Sequence, residues 1–327
     1  GAEASAPAAA AALSAAGGSG GSSGGPSPEV VPARRKEAVE AAIEEPELDA
    51  PADSRPQLAA PVRFLPQDTT MNVAPSDFGG LLMPFAEGGL RHLLSGARAS
   101  AGLQAGRYFF EARIAQDLSE AAVMSNATLL GAHMRSHLRI GVSIADASLL
   151  IGECTGSVGF DSDGKFIADG KKTPATSRFG PGAVVGLLLN LQAEGPAAGT
   201  LSLFVDGARA SEPMEVPGHL KGKPLHPTVT FKNASLHVNF GPLPLAPLPF
   251  KCRMVQEAAK ADVAVVREEA KPKAGEFEVL FPVCMPDEGT FDWLDWFLEE
   301  NPGYQELSDR QIVSWALKSG VPQTKIP

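Results

Sequence analysis

The sequence predicts an all-β protein built on a sandwich of two antiparallel sheets. Between residues 62 and 253, short runs of β-branched, aromatic and aliphatic residues are separated by turn signals, which is typical of strands. Asp206-Gly207, directly after one such run, is a strong hairpin signal. No long amphipathic helix interrupts the region, so two packed sheets are expected. The clearest strand candidates are 106–114, 138–144, 183–191, 200–205, 226–231 and 235–241.

The two ends of the chain differ from this middle region in composition. Residues 1–61 are first rich in Ala, Gly, Ser and Pro and then acidic, and we expect a disordered arm with one marginal helix over 33–45. Residues 254–274, rich in Ala, Lys and Glu, are interpreted as a linker. Residues 275–327 are expected to form a strand and two short helices. The alternative is that this last segment begins a further domain.

The last segment is rich in aromatic residues. Thr290 can cap a helix that contains Trp293 and Trp296, and Ser308 with Gln311 forms a capping box for a second helix. The helices either dock on the sandwich or on each other, or they bind a partner, and their acidic flanks would steer a basic one. Tryptophan is enriched at interface hot spots, so Trp293 and Trp296 are candidate partner-binding residues. The apolar residues of the second helix are expected to be buried: Ile312, Val313, Ala316 and Leu317.

Charge and cysteine content narrow the functional classes. The formal net charge is −10, and the acidic residues concentrate in the two flanks while the middle is near neutral. Sequence-independent nucleic-acid binding needs a basic field and is therefore disfavoured. The three cysteines show no paired spacing, which indicates reduced, buried thiols in an intracellular protein. No apolar run approaches the roughly 20 residues that span a bilayer, so no membrane segment is expected.

One segment follows the pattern of a phosphate-binding loop. Residues 159–165 read G-x-x-x-x-G-K, which would point to a nucleotide hydrolase. Phe166 follows in place of the Ser or Thr that holds Mg²⁺, and a strand-like alternation follows in place of a helix. We therefore interpret the segment as a turn between two strands, with Asp161 stabilising the turn. No cofactor is predicted.

Two histidines have a spacing that is compatible with a metal site. His133 and His137 lie four residues apart and would share one face of a helix. A catalytic zinc ion needs a third ligand and a nearby general base, and no other Cys or His has a suitable spacing. Metal binding is therefore not expected.

Seven blocks of the middle region occur in the order and approximate spacing of the SPRY family, also called B30.2. They are GRYFFEARI, LRIGVS, GSVGFDSDGKFIADG, GAVVGLLLNL, LSLFVDGARA, LHPTVTF and LHVNFG. Residues 62–253 thus resemble a SPRY domain, and the resemblance implies a SPRY-type sandwich. Two positions depart from the family pattern, since Ala183 and Asn190 stand where aspartate is usual.

Within that family, the chain is similar to the heterogeneous nuclear ribonucleoprotein U-like subgroup. The similarity lies in GARASAGLQAGRYFFEARI, LRIGVSIADASLLIGE and LKGKPLHPTVTFKNASLHVNFG, with Ala101 for the usual tyrosine and Val142 for the usual tryptophan. We see none of the subgroup's SAP segment, kinase-like P-loop domain or Gly-Arg-rich tail, so direct RNA binding is not carried over. The resemblance implies an association with ribonucleoprotein complexes.

SPRY domains resemble one another in lacking a catalytic centre and in binding a protein or peptide through loops. Arg98 lies where several peptide-binding relatives place a loop arginine, and Asp146 and Lys165 fall in loops expected to neighbour it. The alternative for Arg98 is a structural role, in a local salt bridge or in bonds to loop carbonyls. Arg98, Asp146, Lys165, Trp293 and Trp296 are therefore the predicted partner-binding residues.

Together these observations predict a non-catalytic interaction module, an adaptor in RNA processing in the nucleus or otherwise in the cytoplasm. Neither a small-molecule substrate nor a membrane is predicted among its partners. One alternative is a SPRY substrate receptor for ubiquitin transfer or a chromatin-complex subunit. The other is the N-terminal part of a larger RNA-dependent ATPase or kinase-like protein.

Overall fold

The computed structural model contains eighteen strands and two α-helices in the part of the chain that it describes. That part comprises residues 45–76, 80–85, 90, 92–119, 135–195, 197–266, 290–301, 304 and 306–321. The first ten strands are β1 (Phe64–Thr69), β2 (Val73–Pro75), β3 (Leu81–Pro84), β4 (Ser95–Ala99), β5 (Ala101–Leu103), β6 (Gly106–Asp117), β7 (His137–Ser143), β8 (Ser157–Asp161), β9 (Lys165–Ala168) and β10 (Lys171–Pro174). The remaining elements are β11 (Val184–Leu191), β12 (Thr200–Val205), β13 (Ala208–Arg209), β14 (Met214–Glu215), β15 (His226–Lys232), β16 (Ala234–Asn239), β17 (Arg253–Met254), β18 (Val263–Val266), α1 (Thr290–Glu300) and α2 (Asp309–Lys318).

Two large sheets form the sandwich, as the sequence predicted. The first sheet has seven strands in the order β1-β4-β15-β7-β8-β9-β10, and every neighbouring pair is antiparallel. The second has nine strands, seven of them in the order β13-β12-β11-β6-β16-β3-β2, with β14 beside β12. In the second sheet, β17 pairs with β6 in parallel. All six strand candidates of the sequence are strands here, within one or two residues of the predicted ends except where β6 runs on to Asp117.

The core lies between the sheets, where every second residue of a strand points inward. Ile140 of β7 and Phe231 of β15 face Phe110 of β6 and Leu203 of β12 in one apolar cluster, each at most 1% exposed. Side chains of this size each contribute about 1.5–3 kcal/mol when they are fully buried. The alternating pattern is therefore what fixes which face of each strand turns outward.

A second, smaller apolar cluster covers the outer face of the second sheet. Phe109, Leu188 and Phe204 point away from the sandwich core and pack against Phe250 and Met254. The Phe204 ring meets those of Phe109 and Phe250 edge to face, with centroids 5.8 and 5.7 Å apart. Because this face is covered, β6 and β11 are apolar on both sides, which a strict alternation would not have predicted.

The phosphate-loop-like segment is the hairpin between β8 and β9. Gly164 has a φ of 82°, a left-handed conformation that a glycine adopts without strain. The Asp161 carboxylate accepts the backbone N–H groups of Asp163 and Lys165 at 3.1 and 3.0 Å. The interpretation as a turn with Asp161 as its stabiliser agrees with this geometry.

The sandwich extends beyond the predicted boundaries at both ends. Residues 45–61 are not disordered: Glu47 is buried, pairs with Arg107 and accepts a hydrogen bond from the Asn190 amide at 3.1 Å. The amide at Asn190 fits this contact, because an aspartate there would place a second carboxylate against Glu47. Residues 254–266 are not a linker, since β17 pairs with β6 and β18 pairs with β5.

A network of polar bonds ties these two extensions together. Arg55 bonds both Asp53 and Asp262, the latter at 2.7 Å. The Tyr108 hydroxyl donates to Asp262 at 2.6 Å and accepts the Ala259 N–H at 3.0 Å. Burial, followed by the bond to Asp262, raises the pKa of Tyr108 to about 12. The composition of residues 45–61 and 254–266 predicted a disordered arm and a linker. These segments are ordered because their polar groups bond the buried side chains of Tyr108 and Asp262.

Several predictions concern residues outside the described part of the chain. These are the disorder of residues 1–44, the helix over 33–45, the linker beyond residue 266, the strand after residue 275 and the position of His133. Among the described residues, none of the helices has the length and apolar character needed to cross a membrane.

Cys252 is a free thiol that is only partly buried, as is Cys154. Burial raises the pKa of Cys252 to about 12, so it stays protonated at neutral pH.

The Tyr108 network gives a direct test of the extended boundary. We expect Tyr108→Phe to lower the free energy of unfolding by about 1–3 kcal/mol, because Asp262 and the Ala259 N–H lose a buried partner. Urea unfolding of Tyr108→Phe, Asp262→Asn and the double variant measures this. The two losses should be less than additive; strictly additive losses would mean that the two side chains do not interact.

Candidate partner-binding surface

A loop that we call the strap, residues 144–156, crosses the outer face of the first sheet. The Thr230 hydroxyl of β15 donates to the Leu149 carbonyl at 3.0 Å and accepts the Ile151 N–H at 2.9 Å. The guanidinium of Arg139, on β7, donates to the Ile151 carbonyl at 2.8 Å. A Cβ atom at Gly96 would lie 2.4 Å from the Leu149 oxygen, so only glycine lets the strap approach β4. The polar outer face of the sheet is thus bonded to the strap rather than to solvent.

Arg98 holds the first turn of the strap. It is 2% exposed, and its guanidinium donates to the carbonyls of Ala145 and Ala147 and to the Ser143 hydroxyl. It also pairs with Asp68 at 3.3 Å. Arg98 therefore has the structural role that the sequence analysis gave as its alternative, in a salt bridge and in bonds to loop carbonyls. If Arg98 contributes to binding, it does so by positioning the strap.

The structure separates the other two predicted loop residues. Asp146 is exposed at the tip of the turn that Arg98 holds, next to the β7 end at Ser143. Lys165 begins β9 at the level of Asp161, which pairs with Arg139 four residues away from Ser143. Four residues of strand correspond to about 13 Å. Asp146 and Lys165 therefore lie toward opposite ends of the first sheet and do not form one site.

His137 lies near Lys165 and is held by two hydrogen bonds. Its Nε2 accepts from the Arg139 Nε at 3.2 Å, and its Nδ1 is 3.0 Å from the Ser162 hydroxyl. Burial and then the charge of Arg139 lower the pKa of His137 to about 4, so the ring is neutral at pH 7. Within the described ranges, no group of three or more His, Cys, Asp or Glu side chains is placed to hold a metal.

The second C-terminal helix docks on the sandwich beside the strap. The Trp315 indole N–H of α2 donates to the Leu94 carbonyl at 2.9 Å, and the Ser319 hydroxyl accepts the Leu94 N–H at 2.7 Å. The buried ammonium of Lys232 donates to the Ser319 carbonyl at 2.8 Å, where it also faces the negative end of the helix dipole. Desolvation lowers the pKa of Lys232. Lys318 pairs with Glu153 of the strap at 3.3 Å.

An apolar groove opens between the strap and α2, with a volume of about 300 Å³. Its polar lining includes the paired Glu153 and Lys318. Both walls are held by hydrogen bonds to the sandwich, so the groove is present without a ligand. The apolar lining consists of Met71, Leu149, Leu150, Leu307, Ile312 and Trp315.

The first C-terminal helix is joined to the second by Arg310. Its guanidinium pairs with Asp295 of α1 at 2.7 Å and with Glu306 at 2.9 Å, and it lies 4.7 Å over the Phe291 ring. Ser308 caps α2 by accepting the Gln311 N–H at 3.4 Å, which is the Ser308 half of the predicted capping box. The two helices and their connection, residues 290–318, therefore form one unit, which we call the helical extension.

The helical extension exposes much of its apolar surface. Trp293, stacked on Phe297 at 5.2 Å, is 38% exposed, and Trp296 is 59% exposed. The expected burial of the apolar residues of α2 is wrong, because Ala316 is only partly buried and the other three are each about half exposed: Ile312, Val313 and Leu317. Hydrogen bonds from the Trp315 indole N–H and to the Ser319 hydroxyl attach α2 to the sandwich, whereas the apolar residues of α2 that were expected to be buried do not.

Sequence reasoning missed most of the groove. Leu307 and Trp315 were within the predicted helical segment, but nothing in a single sequence brings Met71 or Leu149 next to them. The available signal was the apolar Leu149-Leu150-Ile151 run, inside a segment that has no strand pattern.

Comparison with known proteins identifies relatives but no matching family model. Human heterogeneous nuclear ribonucleoprotein U-like protein 2 is 26% identical over 287 residues, 86% of this chain and 36% of that protein. The Drosophila melanogaster ATP-dependent RNA helicase Ddx1 is 26% identical over 147 residues, 45% of this chain and 17% of the helicase. The solved SPRY domain of human HERC1 has a TM-score of 0.39 and 16% identity, covering 54% of this chain and 96% of that one. The chain thus spans about a third of its human relative, and the similarity to SPRY and ribonucleoprotein U-like proteins is confirmed.

Arg98→Met should destabilise the protein by about 3–5 kcal/mol, because it removes one partner of the buried ion pair with Asp68 and the donor to the Ala145 and Ala147 carbonyls. Hydrogen exchange at residues 145–152 should accelerate as the strap is released. Asp146→Ala, in the exposed turn beside it, is the matched control and should leave both measurements unchanged. A thermal midpoint that Arg98→Met does not lower would show that these bonds do not stabilise the fold.

Trp315→Phe should loosen the helical extension without unfolding the sandwich. An aromatic ring remains but the bond to the Leu94 carbonyl is lost, so amide exchange in residues 309–319 should rise about tenfold while that in β7 and β15 stays constant. Exchange monitored by mass spectrometry gives both values in one experiment. Equal exchange in wild type and variant would show that α2 is not held by this bond.

Proposed function

We propose that this chain is a non-catalytic protein-interaction module whose partner binds the groove and the exposed face of the helical extension. The observation that carries this is the concentration of apolar surface there. Fourteen large apolar side chains are exposed among the described residues, and half of them lie in the short helical extension. They are Phe291, Trp293, Trp296, Leu307, Ile312, Val313 and Leu317.

The positions of these side chains favour binding over chance exposure. Scattered surface apolar residues are ordinary, but a cluster beside a preformed groove is typical of an interaction site. Tryptophan supplies large contact area at low entropic cost, and two of the exposed residues are tryptophans. The predicted binding residues Trp293 and Trp296 remain part of this proposal. Asp146, in the strap, and Lys165, at the start of β9, do not line the groove.

We further propose that the module works as an adaptor in nuclear RNA processing. The support is the similarity to heterogeneous nuclear ribonucleoprotein U-like protein 2, which extends over 86% of the chain. The acidic charge of the chain favours contact with proteins of a ribonucleoprotein particle over contact with the RNA backbone. The nucleus is the proposed location, with the cytoplasm as the second choice.

A second candidate is that the module is part of a larger RNA-dependent ATPase. The similarity to the helicase Ddx1 over 147 residues favours it. In that case the partner-binding surface would serve to recruit or regulate the enzyme, and the interaction role of this region would be unchanged.

The experiment is affinity capture from nuclear extract with wild type, Leu307→Ser, Trp296→Ala and the matched control Leu243→Ser. Leu307 and Leu243 are both exposed leucines, at 65% and 76%, but only Leu307 lines the groove. We expect splicing or ribonucleoprotein proteins to be captured by wild type and control after ribonuclease treatment, and to fall at least about fivefold with the other two variants.

Three results would contradict the proposal. Partners that vanish on ribonuclease treatment would show that RNA bridges them. Equal capture by Leu307→Ser and Leu243→Ser would place the binding surface elsewhere. Capture of only ligase or chromatin subunits would favour the substrate-receptor or chromatin alternative.

A further inference from the structure

The groove is suited to binding the side chains of a ligand rather than the backbone of an extended peptide. Its α2 wall presents Ile312 and Trp315, and its strap wall presents Leu149 and Leu150. The strap carbonyls at Leu149 and Ile151 are already taken by Thr230 and Arg139. A peptide that adds as a strand needs a row of free backbone groups, whereas a helix needs only a cleft for side chains on one face. The groove geometry therefore fits a helix.

The helical extension, whose second helix forms one wall of the groove, carries a negative charge that is largely uncompensated. The described part of the helical extension has six carboxylates and two cations. Both cations are engaged, Arg310 with Asp295 and Glu306, and Lys318 with Glu153. Four exposed carboxylates make no ion pair with any other described residue: Asp292, Glu299, Glu300 and Asp309.

The apolar and acidic features alternate along the same two helices. Asp292 is next to the exposed Phe291 and Trp293, and Asp309 begins the helix whose Ile312 lines the groove. A ligand that buries these apolar side chains must place its own polar groups close to the carboxylates. Cationic groups there gain Coulomb attraction, and anionic groups are repelled. The exposed Trp296 ring offers a further contact for a Lys or Arg side chain.

We propose that the partner presents an amphipathic basic helix, with apolar residues on one face that enter the groove and Lys or Arg residues that lie against the helical extension. A helix places residues three and four positions apart on one face, about 5–6 Å from each other, which matches a cleft that holds a few side chains. This inference rests on the proposed function and names the chemistry of its ligand.

The test uses three synthetic peptides of equal length with the full chain. The first is an amphipathic helix with Leu at the i, i+3, i+4 and i+7 positions and Lys elsewhere. The second keeps the Lys residues and replaces Leu by Ala, and the third keeps Leu and replaces Lys by Glu. Fluorescence anisotropy of labelled peptides at about 150 mM salt gives each Kd.

We expect the Leu-Lys peptide to bind at least about tenfold more tightly than either of the others. Leu307→Ser should weaken that binding at least about fivefold, while Leu243→Ser leaves it unchanged. Asp309→Asn with Glu300→Gln should weaken it and should reduce its dependence on salt, since fewer charges are then involved.

Equal binding of the Leu-Lys and Ala-Lys peptides would overturn the inference, because attraction to the acidic chain would then suffice. Equal binding of the Leu-Glu peptide would also overturn it, as would a Leu-Lys affinity that Leu307→Ser does not change. The capture experiment separates the two proposals. If Leu307→Ser abolishes capture of cell proteins but no peptide binds, the interaction surface stands and the basic-helix ligand is wrong.

Discussion

The candidate site depends on the hydrogen bonds and the ion pair that the buried guanidinium of Arg98 makes. An arginine that is removed from water must have its donors satisfied, because a buried, unpaired charge costs several kcal/mol. Here the donors reach the Ala145 and Ala147 carbonyls, the Ser143 hydroxyl and Asp68. The same bonds satisfy loop carbonyls that would otherwise be buried against the sheet. Strap and sheet therefore stabilise each other, and neither contact can be lost alone without cost.

The outer face of the first sheet is polar, and yet the strap packs against it. Its residues alternate with the apolar ones of the core, and several are small or polar, including Gly96, Thr228 and Thr230. Small residues bring the strap close, and hydroxyl and guanidinium groups bond its backbone. Apolar packing alone would allow the strap to slide, whereas these directional bonds fix one position. That fixed position gives the groove its first wall.

The helical extension is attached by a different principle. Hydrogen bonds at Trp315, Ser319 and Lys232 connect it to the sandwich. The helix is therefore held by its C-terminal end while its apolar side chains stay exposed. An element held in this way keeps binding surface available at the expense of its own stability, which is the usual relation between exposed apolar area and interaction.

The sequence determined the sheets of this protein, since strand alternation and the hairpin signal at Asp206-Gly207 are local. The turn falls at those two residues, which adopt the positive φ values that such a turn requires. It also located α1, α2 and the cap at Ser308. Only the tertiary structure decided that residues 45–61 and 254–266 belong to the sandwich, that Arg98 is buried and that Asp146 and Lys165 are apart. The groove was likewise decided there, because it joins Met71, Leu149 and Trp315 from segments far apart in the chain. Local sequence patterns determine which face of a strand is apolar. The partner of a buried charge, or the second wall of a groove, is a residue far away in the chain, and no local pattern predicts it.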